Sequence, residues 1–355
     1  MKNTEKYNSI EYTIYNLNTL IYFIVILVFF ILFLLFHIVH NSTSLIPFLG
    51  KMEATAIEQK DDILQVYNKS SASYWIAPDI TNIKGSALES QILYGRELIA
   101  HTSQYLGPKG SVMQISNGMN CQNCHLDAGT KIFGNNYGSV SSTFPKFRAR
   151  SGTNENIYKR VNDCFERSLN GESLDTLSAE MQAIKAYMIF LGSNVEKGTN
   201  VKGAGLKDVP YLDRAADPEK GKIVYHAKCA SCHMAQGEGI MANGGLEYVY
   251  PPLWGQNSYN DGAGLYRLSN LSKYVKYNMP LGATYLTPQL TDEESWDVAA
   301  YINSQPRPRK NLSADWPKIE KKPIDHPFGP YSDNFSEKQH KFGPFKPIIE
   351  NHSTK

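Results

Sequence analysis

Two short segments hold a pair of thiols and an imidazole at fixed spacing: Cys121-Gln122-Asn123-Cys124-His125 and Cys229-Ala230-Ser231-Cys232-His233. Thiols at i and i+3 can bond the two vinyl groups of one porphyrin, and the adjacent histidine then reaches the iron from one face. The spacing predicts two covalently attached c-type haems. Cys121, Cys124, Cys229 and Cys232 are the attachment points, and His125 and His233 are iron ligands. Two alternatives read the same thiols differently. A zinc site would need the two C-x-x-C pairs to meet across a long intervening chain and would leave both histidines idle. A pair of structural disulfides would do the same.

The iron's opposite face needs a second donor. After His233, Met234 and Met241 lie too near in sequence to reach that face easily. Met279, in Asn278-Met279-Pro280, does not have this problem, and its proline keeps the loop out of helix. Core filler is the alternative role for Met279. The first motif differs. From Leu126 to Glu180 there is no methionine, and the next histidine after His125 is His226. The donors left in that span are Lys131, Lys146, Lys159 and Cys164, while Met181 and Met188 sit at helical spacing and read as core. Cys164 is the favoured ligand. A thiolate binds iron strongly and lowers its potential. A buried free cysteine is the alternative.

Cations crowd this cysteine in sequence: Arg148, Arg150, Lys159, Arg160 and Arg167. If 156–168 is helical, Arg160, Cys164 and Ser168 share one face at i, i+4 and i+8. Guanidinium forks suit oxyanions, so the pattern points to a small anionic substrate. Solvent or haem propionates are the competing partners for these arginines.

The elements that must position these groups follow a repeated plan. A helix at 89–105 precedes the first motif, and a helix at 178–191 closes that half. The second half opens with Asp217-Pro218-Glu219, a cap, an N1 proline and an early acid. It closes with the capping box Thr291-x-x-Glu294 and a helix through Asn303. Helix, motif, loop and closing helix therefore occur twice. The expected fold is mostly α, with two cytochrome-c-like domains in tandem preceded by one N-terminal transmembrane helix. The divisions are 1–40 (membrane anchor or uncleaved signal), 41–84 (tether), 85–200 (first domain), 201–215 (linker), 216–310 (second domain) and 311–355 (a wrapping tail).

The chain has 355 residues and a formal net charge of +2, which gives no support to nucleic-acid binding. Leu20–Phe36 is unbroken apolar sequence, extended by Ile38 and Val39, and the segment after it lacks the small-residue pattern of a cleavage site. Because c-type haem is attached outside the bacterial inner membrane, the body is expected on the periplasmic side, held by this anchor.

The sequence resembles the two-haem c-type thiosulfate dehydrogenases, some of which also run as tetrathionate reductases. In the first half the similar pieces are the first C-x-x-C-H, Phe144-Pro145, Arg150-Ser151-Gly152 and Arg160-Val161-Asn162-Asp163-Cys164-Phe165-x-x-Ser168-Leu169-Asn170-Gly171. In the second half they are Pro251-Pro252-Leu253-Trp254-Gly255, Asn278-Met279-Pro280-Leu281-Gly282 and Gln339-His340-Lys341-Phe342-Gly343-Pro344-Phe345. The resemblance implies His125/Cys164 ligation at an active-site haem and His233 with a methionine at an electron-transfer haem. It implies that Arg150, Arg160 and Ser168 hold substrate and that Tyr266 sits between the haems. Some members carry a lysine ligand where this chain has Asn278, so Met279 is expected in both oxidation states, with Lys276 a weaker candidate. The implied reaction joins two thiosulfates into tetrathionate and releases two electrons to another cytochrome c or the quinone pool. Three other readings compete: a plain two-haem electron carrier, a two-haem peroxidase and a sulfur-carrier cytochrome subunit. The carrier needs neither a thiolate ligand nor an arginine cluster. The peroxidase would want an open or histidine-capped haem, and no histidine lies between His125 and His226.

Overall fold

The structure, a computed structural model, describes residues 21–37 and 74–353. The chain divides into two units, 1–70 and 71–355. In the first, residues 21–37 form a helix with every side chain exposed. Among the described residues no helix is long and apolar enough to cross a membrane. The rest of the expected anchor and residues 41–73 of the expected tether lie outside the described residues.

The second unit is mostly helical. Its longer helices are α1 (Glu89–Ala100), α2 (Ile157–Arg167), α3 (Ala179–Leu191), α4 (Pro218–Lys228), α5 (Leu268–Asn278) and α6 (Asp292–Ser304). Two short antiparallel hairpins interrupt them, β1 (Lys146–Arg148) with β2 (Thr153–Glu155) and β3 (Ile240–Met241) with β4 (Tyr248–Tyr250).

The same helix crossing is built twice. In the first half α1 packs on α3, and in the second α4 packs on α6. Each crossing turns on one glycine. A Cβ at Gly95 would lie 2.0 Å from the Ala183 carbonyl oxygen, and one at Gly221 would lie 1.8 Å from that of Asp297. Backbones come this close only where no side chain intervenes.

Local signals set where these helices begin. Ser178 accepts from the Met181 N–H. Asp217 accepts from the N–H groups of Glu219 and Lys220, with Pro218 next in line. Thr291 and Glu294 close a reciprocal capping box. The buried faces then form one core per half. The first holds Leu98, Phe165, Met181, Ile184 and Tyr187, and the second holds Tyr225, Trp296, Val298 and Ile302.

Two connecting segments are more structured than their composition suggested. Tyr74–Lys84 is part of the packed body, with Trp75 buried in the first core and its Nε1 donating to Asn194 Oδ1 at 3.0 Å. Residues 201–215 also pack: Val209 is buried in the second core, and the Pro210 carbonyl accepts from Trp296 Nε1 at 2.9 Å. The tail runs over both halves. Asp315 pairs with Arg167 of the first, while Phe345 and Ile348 enter the second core.

Gly221→Ala drives a methyl into a backbone carbonyl, and overpacking of this kind costs about 3 kcal/mol. The haem-loaded variant should unfold at lower denaturant concentration with an unchanged slope. An unaltered midpoint would mean that α4 and α6 do not cross this closely.

Candidate active site

The first motif ends in a strained loop that serves one histidine. After His125 the backbone is left-handed at Asp127 (φ 55°), Ala128 (φ 52°), Phe133 (φ 54°) and Asn135 (φ 61°). Non-glycine residues adopt this region at a cost. The result is that the Asn135 carbonyl accepts from His125 Nδ1 at 2.6 Å. With Nδ1 carrying the proton, Nε2 keeps its lone pair. Burial pushes His125 down to about 4, so the ring is neutral at physiological pH. Tyr137 stacks on it with centroids 4.4 Å apart.

Burial pushes the Cys121 and Cys124 thiols up to about 12. Cys121, Cys124, His125 and Cys164 line one cavity, whose walls include Ile99, Met119, Val140, Phe165 and Met188. Two thiols, a neutral imidazole with a fixed tautomer and apolar walls form the donor set that a covalently held haem requires.

The second motif repeats the arrangement. His233 Nδ1 donates to the Pro251 carbonyl at 2.8 Å, and burial lowers the pKa of this ring as well. Met279 is the C-cap of α5 and packs half-buried against the same core as Cys229. Lys276 is engaged elsewhere. Its Nζ pairs with Asp292 at 2.8 Å and donates to the Leu290 carbonyl.

Helix α2 delivers the sulfur side of the first site. Asn156 caps it by accepting from the Lys159 N–H, and Ser168 ends it by donating its N–H to the Cys164 carbonyl at 2.8 Å. One face thus carries Arg160, Cys164 and Ser168. Arg160 Nη1 lies 3.3 Å from Cys164 Sγ. The negative sulfur beside it raises Arg160 above the usual guanidinium value, against the effect of its own burial.

The other cations separate into distinct roles. Arg167 is locked in a two-point pair with Asp315, at 2.9 and 2.8 Å. Lys159 pairs with Asp163, and Arg148 lies 4.0 Å from Glu155 across the β1–β2 hairpin. Arg150, at the hairpin turn, has no carboxylate partner among the described residues. Its Nη1 donates to the Gly262 carbonyl at 3.2 Å, and its guanidinium lies 5.7 Å from the Trp316 ring centroid. Burial, with Arg167 next in effect, pushes Arg150 down to about 10, so it is still a cation near neutrality.

Arg148, Arg150, Arg160, Cys164 and Ser168 line a second, polar cavity of about 340 Å³ that also reaches His125 and Cys124. Glu155, Asp163 and Arg167 of the same segment line it too, and further walls come from elsewhere in the chain: Arg267, Asn270 and Lys273 near α5, Leu206 of the connection, and Trp316 of the tail. The sequence carried no local signal for these. They meet the cysteine only through the packing of the two halves. Tyr266 lies beside this wall, buried and stacked on Phe328, with the Arg307 guanidinium 4.9 Å from its ring.

The second half also reaches the first motif directly. Tyr274 Oη donates to the Asn123 carbonyl at 2.6 Å. Glu247 accepts from Asn120 Nδ2 and Gln104 Nε2 at 3.0 Å each and from His101 Nδ1 at the same distance.

Two helical halves, each with its own thiol pair and buried histidine, define a two-haem c-type cytochrome. Family models agree: residues 218–306 match cytochrome c, and residues 111–196 match the SoxA/TsdA cytochrome c domain. A thiosulfate dehydrogenase of Stutzerimonas stutzeri is 32% identical over 271 residues, 75% of this chain and 85% of the relative. One of Allochromatium vinosum is 35% identical over 235 residues, 65% of this chain and 83% of the relative. Among solved structures, a thiosulfate dehydrogenase (TsdBA) of Marichromatium purpuratum in its as-isolated form superposes with a TM-score of 0.62 at 29% identity. That match covers 71% of this chain and 52% of the larger one. The chain belongs to the thiosulfate dehydrogenase family, as the motifs around Cys164 and Met279 had suggested.

Asp315→Ala would strand Arg167, and a buried charge that loses its partner costs about 3–5 kcal/mol. Thermal unfolding should shift down accordingly, while Asp315→Asn, which keeps a hydrogen-bond acceptor, should lose less. Equal stability of both variants with the parent would show that the pair does not hold the tail to α2.

Proposed function

We propose that this chain joins two thiosulfates into tetrathionate beside the Cys121/Cys124/His125 haem, with Cys164 as the sulfur that faces substrate. The contact that carries this reading is Arg160 Nη1 on Cys164 Sγ, in a cavity where Arg150 has no carboxylate of its own. When bound, the two haems accept one electron each and pass them to an external acceptor. Everything else is the work of side chains.

Two dianions repel, and Arg150 and Arg160 offset that repulsion from fixed positions. The Ser168 hydroxyl supplies a donor at the end of the same helix face. Cys164 thiolate bonds the sulfane sulfur of one thiosulfate, forming Cys–S–S–SO₃⁻ as two electrons leave. The second thiosulfate attacks the sulfur that bears the sulfonate. Tetrathionate leaves and Cys164 regains its thiolate, so charge and atoms balance. The same cavity runs tetrathionate reduction in reverse when two electrons are supplied.

In this reading His125 and Cys164 would hold the first haem between substrate turnovers, and His233 and Met279 would hold the second. The halves divide near residues 200 and 216, and the apolar run from Leu20 tethers the body to the outer face of the inner membrane. Support for the tether is the unbroken apolar sequence and the periplasmic site of haem attachment. Alkaline carbonate should leave the full chain in the membrane pellet and release a chain lacking residues 1–73. Release of both would refute the anchor.

Steady-state oxidation of thiosulfate with ferricyanide tests the site. Cys164→Ala should lower kcat by about 100-fold or more, since it removes the nucleophile. Its first haem should also lose the spectrum of a thiolate-ligated low-spin iron. Arg150→Ala should raise KM about 10-fold with a smaller effect on kcat. Full turnover by Cys164→Ala overturns the reading.

A further inference from the structure

We propose that Trp316, on the C-terminal tail, binds substrate through its indole N–H, which donates to a sulfonate oxygen of the anion held by Arg150. The proposal rests on the anion-binding reading of the polar cavity and adds a residue that lies far from both haem motifs in sequence.

Three observations converge on it. The first is an unpaired donor. Trp316 Nε1 is buried without a hydrogen-bond partner. Buried donors are normally paired, and each exception calls for an explanation. Of the five such orphan side-chain atoms among the described residues, three belong to residues that line this one cavity: Glu155 Oε2, Arg167 Nε and Trp316 Nε1. Glu155 has Arg148 at 4.0 Å to answer its charge, which leaves two donors awaiting an acceptor.

The second is backbone strain. Trp316 has φ +60°, a region that bulky residues rarely enter. Strain of this kind persists where the surroundings over-determine it, and it clusters at binding sites.

The third is the bracing that does so. The Trp316 N–H donates to the Arg150 carbonyl at 2.7 Å, and the ring lies under the Arg150 guanidinium. The preceding residue, Asp315, is pinned by Arg167, and His326 meets the ring edge-on with centroids 5.9 Å apart. Backbone, ring face and ring edge are therefore all fixed. The indole N–H is held buried and without a partner.

An indole N–H is a neutral donor. Beside Arg150 it can bind an oxyanion without adding further charge to a site already rich in arginine. It suits a sulfonate oxygen better than a sulfane sulfur, because sulfur is the weaker acceptor. Trp316 would thereby orient the thiosulfate, oxygens toward Arg150 and the indole, sulfane sulfur toward Cys164.

Trp316→Phe isolates the claim, because it keeps the ring under Arg150 and the backbone N–H but removes the donor. Two measurements on the haem-loaded full chain apply: thiosulfate kinetics, and calorimetric binding of inorganic sulfate to the oxidised protein. The expected result is a rise of about 10-fold in KM and a matching loss of sulfate affinity, as for one hydrogen bond to a charged group. The expected kcat stays within about twofold, and both haem spectra are unchanged. Trp316→Leu, which also removes the ring face, should be worse in both assays. Wild-type KM and sulfate affinity in Trp316→Phe overturn the proposal, even if Trp316→Leu is impaired, because the ring would then act only by supporting Arg150. Sulfate binding that depends on Trp316 in a protein that does not oxidise thiosulfate would support this inference while refuting the proposed reaction.

Discussion

The bond from His125 Nδ1 to the Asn135 carbonyl is the constraint on which the first site rests. It fixes the tautomer and leaves the Nε2 lone pair free in the cavity that Cys164 also lines. The carbonyl is presented by a loop that is left-handed at Phe133 and Asn135, so the loop would not hold that shape alone. Residues of the connection hold it. The Gly203 carbonyl accepts from the Phe133 N–H at 2.9 Å, and the Gly205 carbonyl accepts from the Asn135 N–H at the same distance. Asn136 Nδ2 adds a second bond to Gly203 at 2.8 Å. The glycines at these two places are themselves left-handed, at φ 89° and 66°. Their conformational freedom serves the brace and not a flexible link between domains.

The brace also ties the halves together. Asn278 Nδ2 donates to the Phe133 carbonyl at 3.1 Å, and Asn278 is the last residue of α5 before Met279. One turn earlier on the same helix Tyr274 donates to Asn123, inside the first motif. A single helix therefore touches the first haem-binding loop twice and ends at the residue proposed to face the second iron. The second histidine is held more simply, by Pro251 in its own half. The asymmetry lies in the bracing: the first histidine's loop is held by residues of the connection and of α5, and the second histidine's partner lies within its own half.

The sequence was most legible where structure is local. Asn156, Ser178, Asp217 and the Thr291–Glu294 box all lie within a few residues of the backbone groups they satisfy, so type and spacing were enough. The alignment of Arg160, Cys164 and Ser168 followed from helical period alone. What was not legible depends on partners distant in the chain. Arg167 looked like one more cation for the substrate until Asp315, far along the tail, was found to claim both of its terminal nitrogens. The Lys276–Asp292 pair was equally hidden, since its partners lie on different helices. The tether ending at 84 read as a spacer for want of sustained periodicity, and the linker from 201 for its glycines and lysines, because both features signal a lack of regular structure. They do not signal a lack of packing, and Trp75 and Val209 are buried.

The arginines also decide between an enzyme and a carrier. Burying a guanidinium costs several kcal/mol unless a partner offsets it. Arg167 has a carboxylate, and Arg160 has the Cys164 sulfur with further help from Asp163 and Glu155. Arg150 is half-buried beside two other guanidinium groups, with a carbonyl and an aromatic face for company. An electron shuttle gains nothing from a cation kept in that position, and a hydrophobic side chain would stabilise the fold better. The arrangement makes sense if the missing charge arrives with the substrate. A dianion entering beside Cys164 then relieves the repulsion among Arg150, Arg160 and Arg167, and the free energy set aside during folding becomes binding energy for the anion.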